Sequence, residues 1–191
     1  MSDTSYHHGD LRTAMIEKGI EMINEQGVNT LSLRKLAAAC GVSHAAPYSH
    51  FASKEDLFSA IKDYITVQFA AALKESVKET GETPEGLVRL GSAYALFFVK
   101  NPEYFRFIFS RSNITAGEGR EYEPYDFFKE FMQKLLDKMN YPHELRTKTM
   151  IAQWAMFHGL TAVVLMLRSN AGFEWDEIVP DILSNNYLLI K

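Results

Sequence analysis

The chain has 191 residues, of which 47% are hydrophobic and 23% charged, enough apolar material for a sizeable core. A formal net charge of −4 argues against a general nucleic-acid binder, and a single cysteine, Cys40, excludes an internal disulfide framework. With 6 Pro, 11 Gly and no regular spacing of short Val/Ile/Thr-rich runs, the chain reads as an all-α protein.

The first ten residues are polar and carry no apolar stretch of the kind a secretory signal needs. Together with the lone cysteine this points to the cytoplasm. Asp10 to Gln26 then carries Leu11, Met15, Ile16, Ile20 and Ile23 at helical spacing, with Gly27 as the stop. Ser32 is placed to cap a short helix through Ala39, with Leu33, Leu36 and Ala37 facing inward. Gly41 supplies a turn, and Ser43 is expected to cap a second short helix, His44 to about His50, with Pro47 near its first turn. Ser53-Lys-Glu-Asp56 resembles a capping box opening a long helix to about Glu79.

After a break at Gly81 to Pro84, helices are expected at about 85–99, 102–110, 124–140, 143–169 and 176–189, with a polar loop at 112–121. The stretch Thr149 to Leu167 has no charged residue and is about as long as a bilayer-spanning helix. Gln153, His158, Gly159 and Thr161 interrupt it, so a buried helix in a dimer core is preferred to a membrane span.

Two short helices joined at a glycine turn, one face apolar and the other small and hydroxylic, is how a helix is presented to the DNA major groove. The segment from Tyr6 to Ile61 also resembles the TetR family of transcriptional regulators. The resemblance is carried by Tyr6-His-His-Gly-Asp-Leu-Arg12, Ser32-Leu-Arg-Lys-Leu-Ala37, Gly41-Val-Ser43, Tyr48-Ser-His-Phe51 and Ser53-Lys-Glu-Asp-Leu57. It implies a helix-turn-helix DNA-binding domain at residues 1–52 and a helical ligand-binding and dimerisation domain at 53–191, with the helix 53–79 as a shared connector.

The first 62 residues are nearly charge-balanced, so double-stranded DNA would be bound by a few placed cations, helix starts and hydroxyls. Ser43 can reach a phosphate. His44, Ala45 and Ser49 lie on the groove-entering face, where the Ala45 methyl suits a thymine methyl. By resemblance, Tyr48, His50 and Lys54 grip phosphates, and Arg34 reaches a guanine edge or a phosphate. Plainer readings exist: Tyr48 as a core aromatic, His50 as a capping or core histidine, Arg34 as a solvated charge. Ser49 departs from many similar proteins, which place a larger or cationic side chain there. Cys40 reads as a small buried hydrophobe rather than a redox switch.

The C-terminal half has no hydrolase, kinase or dinucleotide motif but is dense in aromatics. Phe97, Phe98, Tyr104, Phe105 and Phe128 read either as plain core or as the lining of a ligand site. Trp154-Ala-Met-Phe-His158-Gly159 resembles the Trp…His-Gly motif of one TetR subgroup, and it places Trp154 and His158 on one helix face. His158 is then a satisfied core histidine or a ligand contact. Leu160, Val163, Val164, Leu167, Ile178, Ile182 and Leu189 would pair the last two helices with their twofold mates.

No cofactor and no metal are expected, because His7-His8 and His44/His50 are not spaced as a ligand set. The resulting expectation is a homodimeric repressor with an apolar or aromatic effector and no membrane partner, reading half-sites about one helical turn, ~34 Å, apart. Weak basic charge and Ser49 motivate the alternative, a helical small-molecule-binding or enzymatic protein with a vestigial helix-turn-helix.

Overall fold

The computed structural model describes residues 8–109, 122–167 and 172–186, with side chains from residue 11 onward. The expected motif residues 6–10, the polar loop at 112–121 and Leu189 therefore lie outside the side chains described. Eight α-helices and two 3-10 turns make up the described elements: α1 His8–Gln26, a 3-10 turn Val28–Thr30, α2 Leu33–Ala39, a 3-10 turn Ala46–Ser49, α3 Lys54–Ser76, α4 Pro84–Lys100, α5 Pro102–Phe109, α6 Glu123–Lys138, α7 His143–Leu167 and α8 Trp175–Asn186. No strand occurs among the described residues.

The chain divides into two compact units, residues 1–65 with 106–114, and residues 66–105 with 115–191. The division falls inside α3, thirteen residues past the boundary read at position 53.

In the first unit the core is built from Met15, Ile16, Ile20 and Ile23 of α1, Leu33, Leu36 and Ala37 of α2, Phe51, and Leu57, Ile61 and Ile65 of α3. Each large side chain so buried contributes about 1.5–3 kcal/mol of transfer free energy. That outside support is what a helix as short as α2 requires. Local signals fix the ends. Ser32 Oγ accepts from Lys35 N–H at 3.3 Å, and Gly27 N–H closes α1 on Ile23 C=O at 2.8 Å. Gly41 takes φ +68°, a left-handed value that a side chain would strain. At the start of α3, Ser53 Oγ accepts from Asp56 N–H at 3.1 Å, while the Asp56 carboxylate accepts from Ala52 N–H at 2.9 Å. The reciprocal cap is therefore made, one residue wider than the capping box.

The second short helix is not formed as expected. Instead of an α-helix from His44 to His50 capped by Ser43, a single 3-10 turn covers Ala46–Ser49 with no side-chain cap. The reason is Pro47. An α-helix entering at His44 would need the residue 47 N–H to bond Ser43 C=O, and proline has none. Ala46 N–H takes that carbonyl instead, at 3.0 Å, and Tyr48 N–H and His50 N–H continue the tighter pattern to Ala45 and Pro47.

In the second unit, α4 packs against α7 and α8, and α6 against α7. Gly91 is the point of close approach. A Cβ there would lie 2.8 Å from Cδ1 and Cζ of Phe157 and closer still to its Cε1. The buried stripe of α7 is Thr149, Gln153, Phe157, Thr161 and Val164, repeating every three or four residues. Val164 thus faces inward and is not available to a partner subunit, contrary to the sequence reading.

Candidate functional site

Two groups of side chains stand out, one in each unit. In the first, the segment after Gly41 leaves Ser43, His44, Ala45, Tyr48 and Ser49 exposed over a buried base of Pro47 and Phe51. Tyr48 is 61% exposed, which removes the core-aromatic reading. His50 is half-buried, its ring centroid 6.4 Å from that of Phe51. Arg34 is exposed on α2. Lys54 is half-buried at the start of α3, where its ammonium sits 5.0 Å from the centroid of Phe58 and is held by the ring face. Ser49 Oγ donates to Ala46 C=O at 2.7 Å, so its proton is used locally and its lone pairs are what it offers outward. Cys40 is half-buried, and burial raises its thiol pKa, which lowers its nucleophilicity.

The second group is a network of rings in the second unit. All seven residues singled out as effector contacts belong to it. Phe97 meets Tyr104 at 6.1 Å and Phe98 at 5.1 Å, Phe98 meets Phe105 at 5.3 Å, and Phe105 meets the His158 ring at 4.9 Å. On the far side Phe128 meets Trp154 at 5.0 Å. The hub joining both halves is Tyr94, which the sequence reading did not single out. It packs edge-on against Phe69, Phe98 and Trp154, and its hydroxyl lies 3.0 Å from His158 Nδ1. Tyr125 adds a further edge-on contact to Trp154 at 5.1 Å.

Burial acts on the two polar members in opposite directions. It raises the Tyr94 phenol well above its usual 10.0 and lowers His158 below its usual 6.5, so both are neutral at physiological pH. A neutral imidazole can accept the phenol proton on Nδ1.

Residues 15–61 match the family model described as bacterial regulatory proteins, tetR family. The head of this chain is thus similar to the DNA-binding segment of the tetR family. A segment of 52 residues is 38% identical to the HTH-type transcriptional regulator AcrR of Shigella flexneri, covering 27% of this chain and 24% of that protein. The chain is thus matched over about a quarter of that curated relative. Likeness of fold extends much further than this tetR head. A Rhodococcus sp. RHA1 protein of unknown function superposes with a TM-score of 0.81 at 24% identity, over 98% of this chain and 99% of that one. The transcriptional regulator FadR of Bacillus subtilis, solved with stearoyl-CoA, gives 0.73 at 16% identity over 94% and 97%. At these identities the superpositions speak to the all-α tetR-type fold alone.

Beyond the ring network, the sequence reading missed Gln153. It was noted only as an interruption of an apolar run, yet it is a fully buried amide. The signal was present: it is an uncharged polar residue four positions from Phe157 and from Thr149, on one helix face.

Proposed function

We propose that the protein is a ligand-responsive transcriptional regulator, a repressor, that binds a pseudopalindromic operator as a homodimer. It acts by binding rather than by catalysis, in the cytoplasm. The observation that carries this reading is the exposed row Ser43, His44, Ala45, Tyr48 and Ser49, raised on a packed helical core in a head that matches the tetR family. Arg34, His50 and Lys54 supply phosphate contacts to either side of it.

Dimerisation is supported by α7. It is long and apolar enough to cross a membrane, but only 22% of its most apolar stretch is buried within the chain. Ile151, Val163 and Met166 are 59%, 47% and 72% exposed, and a Cβ at Gly159 would meet no atom of the described residues within 4 Å. A second copy of the chain packed on this stripe and on Ile182 of α8 removes that apolar surface from water.

The effector is an apolar or aromatic molecule received by the Tyr94-centred ring network. The FadR neighbour, with its stearoyl-CoA, is a precedent on this fold for a ligand that carries a long apolar chain. Control follows if the effector binds better to a form whose two heads are wrongly spaced for the operator. DNA affinity then falls by the ratio of its affinities for the two forms.

A gel-shift titration with the region upstream of the protein's own gene tests the reading. A sequence-selective complex whose affinity falls linearly with log salt is expected. Failure to form one at moderate salt, with a dimeric protein, would leave the enzymatic or binding-protein alternative standing.

A further inference from the structure

Four buried polar side chains occur among the described residues: Ser92, Thr149, Gln153 and Thr161. Three are satisfied. Ser92 Oγ donates to Val88 C=O at 2.8 Å, Thr149 Oγ bonds the Tyr141 hydroxyl at 3.2 Å, and Thr161 Oγ donates to Phe157 C=O at 2.7 Å. Gln153 is 0% exposed, and among the described residues neither its amide nitrogen nor its oxygen has a hydrogen-bond partner. An orphaned buried polar group destabilises the fold, and a leucine of similar size would avoid that. Gln153 sits one helical turn before Phe157 and next to Trp154, both of which pack on Phe128, while Phe157 and Trp154 also meet Tyr94.

We propose that the Gln153 carboxamide anchors the head of the effector, and that this head is an uncharged group with a donor and an acceptor side by side, a carboxamide or lactam, carried on an apolar body. The inference rests on the ligand-responsive reading above. One edge of a primary amide presents an N–H and the C=O side by side in a plane, and its complement is another amide paired through two hydrogen bonds. Charge is disfavoured by the surroundings. Among the described residues no wholly buried side chain carries a carboxylate, ammonium or guanidinium, and Arg89–Glu85, Lys129–Asp126 and Lys134–Glu130 pair on α4 and α6, with Asp126 Oδ2 itself buried and without a hydrogen-bond partner among the described residues. A carboxylate or phosphate brought to Gln153 would lie without a counter-charge in an apolar interior. The neutral Tyr94–His158 pair adds polarity without adding charge.

The experiment is calorimetric titration of the full chain and of Gln153→Leu with three matched probes: 4-butylbenzamide, 4-butylbenzoate and butylbenzene. Wild type is expected to bind the amide about tenfold or more tightly than either of the others. Gln153→Leu should lose that preference, bind butylbenzene at least as well, and melt at the same or a higher temperature without ligand. A variant that kept the amide preference, or a wild type that favoured the benzoate, would overturn the anchor. So would a crystal structure in which Gln153 bonds only an internal water while the amide sits elsewhere. If wild type takes up butylbenzene and benzoate but does not favour the amide, the head-group assignment alone fails. If none of the three binds, the ligand-responsive reading fails with it.

Discussion

Tyr94 and His158 meet across α4 and α7, phenol oxygen to imidazole Nδ1 at 3.0 Å, inside a shell of rings that includes Trp154 and Phe105. Burial lowers the imidazole pKa below 6.5 and so favours its neutral form. As pH falls, the unfolded chain therefore takes up the proton first. Stability supplied by the neutral ring is present above pH 6.5 and is lost as pH drops through the lower native value. Melting temperature measured from pH 8 to pH 5 should fall more steeply for wild type than for His158→Gln. Equal slopes would show that His158 keeps its proton equilibrium on folding.

Gly91 and Gly159 should respond to alanine in opposite ways. At Gly91 the added methyl collides with the buried Phe157 ring, which packs on Tyr94 and Phe128 and has little room to retreat. Overpacking of this kind costs about 1–3 kcal/mol, against a helix-propensity gain of about 1 kcal/mol. Gly91→Ala should lower the melting temperature and alter the Trp154 emission. At Gly159 an added Cβ meets no atom of the described residues within 4 Å, so alanine there keeps the propensity gain. Urea unfolding of the isolated subunit separates the two.

Local rules were enough for the frame of the head. Ser32, Gly27, Gly41 and Ser53 each act on backbone groups within four residues, and the structure makes their hydrogen bonds or dihedrals as expected. The 3-10 turn is legible too, in the N–H that Pro47 lacks opposite the Ser43 carbonyl. The ring network was legible as composition but not as connectivity. Which of the aromatics becomes the hub depends on the angle at which α4 meets α7, set by Gly91 against Phe157. That contact joins residues far apart in sequence, and no periodicity within either helix encodes it.

The head should be sensitive to single atoms on its exposed row. Tyr48→Phe removes one hydroxyl from a side chain 61% exposed, so melting temperature should not move. Operator affinity should fall about ten- to a hundredfold, the worth of one hydrogen bond to a charged phosphate. Ser49→Arg should do the reverse. It gives up only the bond to Ala46 C=O and adds a cation, so affinity should rise and the slope of log affinity against log salt should steepen by about 0.9 per new phosphate contact. Fluorescence anisotropy at several salt concentrations measures both.

The α7 stripe decides whether two such heads act together. Val163 and Met166 are 47% and 72% exposed and lie off the buried stripe of Gln153 and Phe157, so charges placed there need not disturb the ring network. Val163→Asp with Met166→Asp should convert a dimer to a monomer in sedimentation equilibrium, because two copies of each carboxylate would be brought into one apolar interface. On the proposed reading each head alone would make too few cationic contacts to hold DNA at moderate salt, so operator binding should be lost together with the dimer. A doubly substituted chain that stayed dimeric would move the interface off α7, and a wild-type chain that sedimented as a monomer would leave the exposed stripe without its proposed partner.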